Sequence, residues 1–362
     1  MRHARSAVLL KEDVMSLLPR GESKRCLVTG AAGFIGCHVA RLLVEAGHEV
    51  AAIDDLSGGF LENVPEVCLF DPLSVNDSLD LLFERFRPEF VYHLAAYAAE
   101  GLSHHIPGFN YTNNLLGTAN VLKTAHRWEV KHFVFTSSIA AYGHPETEEP
   151  FDELTVARPC DPYGIAKLAC EQHLRAFRDY FGGPDYTIFR PHNVFGPRQN
   201  IADPYRNVVG IFFRCALQGE PMPVFGDGSQ TRSFSYISMV AECIAAAPWV
   251  SAARGRVINV GGDEPMSVRR LAETIAEVMD VPCNVQELEP RAEVLHAHCR
   301  HDLAQQLFPE AYKESVGIAE GLRRTAEFVR SHPIPKPTEC PCPIEIADRL
   351  PPSWAPRLDS DQ

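Results

Sequence analysis

Apolar positions along this chain follow two alternating rhythms. Cys26-Leu-Val-Thr is a short apolar run ending at Gly30, which predicts a strand buried on both faces. From Phe34 to Ala46 the residues Ile35, Val39, Leu42 and Leu43 recur at helical spacing, and Gly47 predicts the stop. Glu49-Val-Ala-Ala-Ile53 is the next strand and closes at Asp54-Asp55, completing a strand–helix–strand unit. The alternation continues with a helix from Asp77, a plausible N-cap, to Phe86 and a strand from Phe90 to Leu94. It then predicts a helix over Tyr111 to Arg127, a strand over His132 to Thr136, a helix over Tyr163 to Phe181 and a strand over Tyr186 to Arg190. Such a pattern implies an α/β fold built on a doubly wound parallel sheet, with ligands at the carboxyl ends of the strands. From about Asn193 glycine and proline loosen the rhythm, and helices are predicted over Ser267 to Met279 and Ile318 to Ser331. This half reads as a smaller C-terminal α/β lobe with some excursions back to the sheet. After His332 the composition turns to proline, cysteine and acid, which predicts a floppy tail.

A chain of 362 residues is long enough for one large α/β domain and a smaller one. Its net charge of −13, without a long basic block, argues against a nucleic-acid surface. No run of about 18 apolar residues is present, so no membrane-spanning helix is expected. The first 22 residues lack the apolar stretch and small-residue cleavage site of a secretory signal. The eleven cysteines are scattered and lack paired zinc spacings, which fits a reducing, cytoplasmic setting. Cys340-Pro-Cys342 is the one close pair, and no metal site is expected there.

Three constellations carry chemistry. The first is Thr29-Gly-Ala-Ala-Gly-Phe-Ile-Gly36, with Gly30, Gly33 and Gly36 between a strand and a helix. Gly30 permits the tight turn, Gly33 lets the backbone approach a pyrophosphate, and Gly36 allows close helix–strand packing. The helix opening at Phe34 and Ile35 then presents its N–H groups and positive dipole end to the phosphates. Second, Asp54 ends the next strand, where a carboxylate accepts hydrogen bonds from a ribose 2′-OH and repels a 2′-phosphate. No Arg or Lys follows it closely, which favours NAD over NADP; the alternative is a strand-end turn residue. Asp71-Pro72 follows the third strand, where an adenine amino group would lie, and Leu94-Ala95-Ala96 gives small residues beside the path of a dinucleotide. Third, Tyr163 and Lys167 fall at i and i+4 on one helix face, downstream of Thr136-Ser137-Ser138. An ammonium beside a phenol lowers a tyrosine pKa that is ordinarily about 10, giving a general base near neutral pH.

Together these residues resemble the extended short-chain dehydrogenase/reductases, and within them the nucleotide-sugar epimerases of the UDP-glucose 4-epimerase type. The similarity runs from about Lys24 to Arg330. It includes Asp54-Asp55-Leu56-Ser57, His93-Leu-Ala-Ala96, Asn114-Leu-Leu-Gly117, Tyr142-Gly143 and Asp161-Pro-Tyr163. It continues with Arg190-Pro191-His192-Asn193, Gly196-Pro-Arg-Gln199, Gly226-Asp-Gly228, Arg232 and Asn259-Val-Gly261. The resemblance implies a Rossmann-like NAD-binding domain over 24–192, a mainly substrate-binding lobe over 193–331, an extension over 1–23 and a tail over 332–362. It implies Tyr163 as base, Lys167 as the residue that lowers its pKa and holds the nicotinamide ribose, and Ser138 as hydrogen-bond partner of the reacting oxygen. Asp55, Leu56, Ser57, Asn114 and Pro191 match positions around the cofactor. Asn193, Arg232 and Arg291 match positions that hold a substrate diphosphate, for which an arginine fork is suited.

The implied reaction is epimerisation of a nucleotide sugar, most simply a UDP-hexose at C4, through a transient 4-keto sugar with NAD kept bound. The residues after Ser138 are Ile139-Ala140-Ala141, where related dehydratases and decarboxylases carry acids. Departures occur at Glu100, which either faces the sugar or is a solvated loop acid, at Ser233-Phe-Ser-Tyr-Ile-Ser238, and at Cys299-Arg300-His301, where an aspartate is common. A small residue near Ala297 permits an N-acetylated sugar. A homodimer is expected through the helices beginning near Tyr111 and Tyr163. The alternatives are a 4-keto reductase or another epimerase with the same triad and, more remotely, a non-catalytic NAD-binding regulator.

Overall fold

The structure, a computed structural model, describes residues 18–19, 21–145, 149–290, 296–313, 315–333, 340, 342–351 and 354. Seven strands form the central sheet: β1 (Arg25–Thr29), β2 (Glu49–Ile53), β3 (Leu69–Asp71), β4 (Phe90–His93), β5 (His132–Thr136), β6 (Asp185–Pro191) and β11 (Arg256–Val260). Their order is β11-β6-β5-β4-β1-β2-β3, and every neighbouring pair is parallel. The chain winds outward from β1 to β3, then returns past β1 to β4 and winds the other way. That reversal opens a crevice beyond the carboxyl ends of β1 and β4, where such sheets bind ligands. Three small sheets form the lobe above it. β7 (Val194–Phe195) pairs with β10 (Ser235–Tyr236), and β8 (Met222–Phe225) pairs with β13 (Val285–Leu288). β9 (Thr231–Ser233) lies between β12 (Pro265–Ser267) and β14 (His296–Ala297).

Side chains of the central strands alternate between two apolar layers, as the pleat requires. Cys26 and Val28 of β1 enter one core and Leu27 the other. The first core is closed by α1 (Phe34–Glu45), α7 (Val208–Gln218), α8 (Ile237–Ala246), α9 (Val268–Met279) and α12 (Ile318–Ser331). The second is closed by α2 (Asp80–Phe86), α5 (Gly117–Arg127) and α6 (Pro162–Phe181). Phe83, Phe133, Phe189, Phe212 and Phe213 are fully buried, and each such side chain contributes about 1.5–3 kcal/mol. No described helix is long and apolar enough to cross a membrane.

Two local expectations change. Helix α2 starts at Asp80, not at Asp77, because the Asp77 carboxylate accepts the Ser74 N–H at 2.8 Å and closes a turn instead. Tyr111–Leu116 is a π-helical turn that runs on into α5, so the carbonyls there face partners other than the usual helical ones.

The C-terminal segment differs more. Its described residues, from Cys340 to Trp354, dock beside α3 (Glu100–Ser103) and α4 (Pro107–Asn110), which follow β4. Glu345 and Ile346 donate their N–H groups to the His105 carbonyl at 2.9 and 3.1 Å, and His105 Nδ1–H donates to the Ile346 carbonyl at 2.8 Å. The Glu345 carboxylate accepts the N–H groups of Gly108 and Phe109, both at 2.8 Å, capping α4. Ile344 and Trp354 cover the apolar cluster of Tyr97, Ala99, Leu102 and Ile106. The floppy tail expected over 332–362 is therefore fixed in this part, since two apolar anchors and one capping carboxylate outweigh a loop-like composition. A chain ending at residue 339 should show amide exchange in residues 97–110 faster by at least about tenfold, a loss of about 1.4 kcal/mol in local opening, with the central sheet unchanged. Unchanged exchange there would mean that the docked segment contributes no stability.

Candidate active site

At the reversal point the glycine loop does what its spacing predicts. Gly30 has φ +71°, and a Cβ there would lie 2.7 Å from the backbone N and Cα of Ala95. Only glycine lets Leu94-Ala95 cross the end of β1. A Cβ on Gly36 would come within 2.0 Å of the Gly30 carbonyl oxygen, so α1 packs directly on the loop. Gly33 is the N-cap of α1, without a side-chain cap and without an acidic residue in the first turn. The positive end of the helix, at Phe34, Ile35 and Gly36, thus faces the crevice ready for an anion.

Asp54 is buried at the end of β2, where its carboxylate accepts the N–H groups of Ala32 (3.0 Å) and Leu56 (2.8 Å). Burial pushes its pKa up, and those two bonds pull against it. Asp54 therefore ties β2 to the glycine loop, and each oxygen keeps a second lone pair for a hydroxyl donor. Asp55 is exposed and accepts the Ser57 N–H at 3.0 Å, while Leu56 takes φ +61°. Asp71 ends β3 beside Ile53, with its carboxylate paired to Arg85, and Pro72 is exposed.

A buried chain of bonds holds β4 to β1. Thr118 Oγ1–H donates to the Asn114 carbonyl at 2.6 Å, so its oxygen accepts from His93 Nε2 at 3.0 Å. His93 must then carry its proton on Nε2, and Nδ1 accepts from the Thr29 hydroxyl at 2.8 Å. Thr29 Oγ1 in turn accepts the N–H groups of Leu94 and Ala95, each at 3.2 Å. Burial lowers the His93 pKa to about 3, which keeps the ring neutral as this chain of donors requires. Asn114, in the π-helical turn, binds the Tyr97 backbone twice, through Oδ1 (2.8 Å) and Nδ2 (3.2 Å).

The three residues of the catalytic constellation come together. Ser138 Oγ accepts the Ala140 N–H at 3.1 Å, and the hydroxyl acts on the Tyr163 phenol to lower its pKa. Tyr163 is 8% exposed, at the first turn of α6, whose N-cap is Asp161. Burial drives its pKa above the ordinary 10; the Ser138 hydroxyl is the strongest opposing influence, Glu100 and Asp161 push it further up, and Arg206 pulls it down. Lys167 Nζ donates to the Thr136 carbonyl at 2.7 Å and lies 5.7 Å from the Tyr163 ring centre. Burial lowers the Lys167 pKa to about 8. The pairing of Lys167 with Tyr163 predicted from spacing is present as proximity, but burial dominates the phenol and Ser138 opposes it most strongly. Glu100 is exposed at the start of α3, yet its charge reaches the phenol.

Sequence reasoning missed the support beneath this constellation. Tyr163, Lys167 and Glu171 stand at i, i+4 and i+8 on one face of α6. Glu171 is fully buried, and it accepts Ser137 Oγ–H at 2.6 Å and Arg190 Nε and Nη2 at 2.8 and 2.6 Å. The Arg190 guanidinium lies 4.4 Å from the Tyr142 ring centre, and Tyr142 Oη donates to Asn259 Oδ1 at 2.8 Å. The available signal was an acid on the buried stripe of a helix, which demands a partner. Ser103 was missed as well; its Oγ accepts the Tyr163 N–H at 3.2 Å.

On the lobe side, Pro191 ends β6 and Asn193 follows at φ +39°, with Nδ2 donating to the Ser233 carbonyl at 3.0 Å. Arg232 sits on β9 opposite Met266 and Ala297, and its Nη1 donates to the Thr231 carbonyl at 2.8 Å. Arg291 lies outside the described residues.

The family model of the NAD dependent epimerase/dehydratase family matches residues 26–261. The chain is 33% identical over 317 residues to the UDP-glucose 4-epimerase of Mycolicibacterium smegmatis, spanning 85% of this chain and 99% of that protein. It is 28% identical over 318 residues to the UDP-N-acetyl-alpha-D-glucosaminuronate decarboxylase of Bacillus cytotoxicus, spanning 86% of this chain and 93% of that protein. The UDP-glucose 4-epimerase of Thermus thermophilus, solved as a complex with NAD, matches with a TM-score of 0.78 at 32% identity, over 84% of this chain and 99% of that one. The glycine cradle, which any Cβ at Gly30 or Gly36 would fill, and the uncapped start of α1 suit that dinucleotide. By sequence, fold and cradle alike, this chain belongs to the NAD dependent epimerase/dehydratase family and is an NAD-dependent enzyme of the nucleotide-sugar epimerase kind.

Proposed function

We propose that the enzyme is a UDP-hexose 4-epimerase of the UDP-glucose/UDP-galactose type. The observation that carries this reading is the meeting of Ser138, Tyr163 and Lys167, the Lys167 Nζ lying 5.7 Å from the Tyr163 ring centre, next to a turn, Ile139–Ala141, whose side chains are all apolar. Elimination or decarboxylation needs a further acid or base beside the reacting carbon. Epimerisation needs one group that takes a proton and returns it.

In this reading the start of α1, at Gly33, Phe34, Ile35 and Gly36, holds the cofactor pyrophosphate. Asp54 accepts from the adenosine ribose, with Asp55, Leu56 and Ser57 alongside it and Asp71-Pro72 near the adenine. Gly30 and Leu94-Ala95-Ala96 leave room for the dinucleotide backbone, while Asn114 and Pro191 shape the nicotinamide end. When bound, NAD supplies the acceptor for the C4 hydride and gives the hydride back. Tyr163 removes the C4 hydroxyl proton and later returns it, while Ser138 holds the reacting oxygen through both steps. Lys167, protonated below about pH 8, steadies the phenolate and the nicotinamide ribose. Asn193 and Arg232, with Arg291, hold the diphosphate while the 4-keto sugar turns over.

Leu116 and Ile165, 59% and 42% exposed on the helical segments that begin near Tyr111 and Tyr163, support a homodimer through those helices. Leu116→Arg should then give a monomer by light scattering; an unchanged mass would place any dimer elsewhere.

Purified protein incubated with UDP-glucose, without added cofactor, should form UDP-galactose by proton NMR. Stoichiometric NADH consumption with a 4-keto UDP-hexose, and no conversion of UDP-glucose, would instead mean a 4-keto reductase, and no conversion of any UDP-hexose even with NAD would end this reading. Tyr163→Phe should lower kcat by at least about 100-fold and leave NAD binding intact. Undiminished turnover in that variant would remove Tyr163 from the mechanism.

A further inference from the structure

We propose that His192, His301 and Asp263 form a one-proton relay that positions Asn193 and Arg232, so that UDP binding weakens as pH rises. The inference rests on the reading above, in which those two residues meet the substrate diphosphate. His192 lies between Pro191 and Asn193 and is 2% exposed; His301, at the start of α10 (Asp302–Leu307), is 1% exposed. Their ring planes differ by 25° and their centres lie 4.9 Å apart, so the rings meet edge to edge, with Nε2 to Nε2 at 2.8 Å. His192 Nδ1 reaches the Ser233 carbonyl at 3.0 Å, and His301 Nδ1 reaches Asp263 Oδ1 at 2.5 Å. Gln305 holds the other Asp263 oxygen at 2.9 Å.

Counting protons fixes the charge state. A carbonyl only accepts, so His192 Nδ1 carries a hydrogen. The contact between the two Nε2 atoms needs one hydrogen, and the contact with Asp263 needs another. Three bonds therefore need three protons, and two neutral imidazoles bring only two. The third leaves the unit with one cation and one carboxylate, with no net charge. Burial pushes His192 down to about 3, so the extra charge does not sit on that ring, and the third proton is held at the His301–Asp263 contact. At low pH the proton is present and all three bonds stand. As pH rises the unit loses it, and two lone pairs then face each other across one contact.

That loss reaches the substrate side through one atom. The Ser233 carbonyl oxygen accepts from both His192 Nδ1 and Asn193 Nδ2, and Ser233 directly follows Arg232. His192 has little room to move elsewhere, since a Cβ on Gly261 would lie 2.7 Å from its Nε2. The other groups facing the relay are His298 and Cys299 after β14, Tyr312 on α11 (Pro309–Lys313), Glu153, and Arg190 on β6. Burial raises Cys299 and Tyr312 and keeps both protonated, while Glu153 accepts the Asn259 N–H at 2.8 Å and Arg190 is bound to Glu171. His298 is a further ionisable group nearby, and it lowers His192 further.

The test titrates UDP into the NAD-loaded enzyme by calorimetry from about pH 6 to about pH 9, across the ordinary histidine range. His301→Gln offers an amide N–H to His192 without needing the extra proton. The wild-type Kd should rise at least about fivefold more over this range than that of His301→Gln, and His298→Gln should keep the wild-type slope. Comparing slopes cancels the titration of UDP itself, whose terminal phosphate has a pKa of about 6. Equal slopes in wild type and His301→Gln would overturn the relay while leaving the diphosphate site intact. No UDP binding at any pH would overturn the site reading, and the relay's role with it. Nitrogen NMR of the wild-type imidazoles needs no variant: one ring should carry protons on both nitrogens at about pH 6 and lose one on the way to about pH 9. Two neutral rings at every pH would overturn the relay.

Discussion

A fully buried carboxylate with three donors underlies the reacting centre. Glu171 takes Ser137 Oγ–H and both arms of Arg190, and so joins the end of β5, the middle of α6 and the end of β6 at one point. Removing one partner of such a pair costs about 3–5 kcal/mol, because the other charge is left buried alone. The arrangement fixes α6 in rotation about its own axis. Lys167 lies one turn before Glu171 and Tyr163 one turn before that, so the rotation decides where the phenol meets Ser138. Arg190 extends the brace through the Tyr142 ring to Asn259 on β11, and the far edge of the sheet is included.

Above this brace the two chemical groups live under opposing influences. Burial favours the neutral phenol of Tyr163 and the neutral amine of Lys167 alike. A base must become charged to act, so the centre is held away from its working state until a favourable charge comes near. The Ser138 hydroxyl offsets part of that resistance, and Arg206, which lies 4.6 Å from the Tyr97 ring centre, adds a further positive charge.

How much of this was legible depended on how far apart in the chain the partners lie. The turn at Gly30, the close packing at Gly36, the strand end at Asp54 and the face shared by Tyr163 and Lys167 all follow from spacing within one strand–helix unit. Helix bounds were readable where capping is local, as at Ser267 before α9, and misread where Asp77 had a nearer backbone donor in Ser74. Glu171 with Arg190, His93 with Thr29 and Thr118, and His192 with His301 pair between different strands and helices, from 19 to 109 residues apart. None of these pairings could be read from spacing, even where a residue such as His93, Arg190 or His192 fell inside a motif. His301 was noticed only as a departure where an aspartate is common, and its meaning lay in His192, more than a hundred residues upstream.

The docked C-terminal segment carries a consequence for how the protein is made. Residues 97–110 leave the ribosome more than two hundred residues before the residues that cover them, among them Ile344, Glu345 and Trp354. Throughout the intervening elongation the face of Tyr97, Leu102 and Ile106 has no cover, and helix α4 has no Glu345 to cap it. Exposed apolar surface on a growing chain invites association with other chains. The sheet can assemble as its strands emerge, but the flank next to Tyr163 waits until Ile344, Glu345 and Trp354 emerge, and nascent chains that stall before that point would carry the exposed face of an unfinished site.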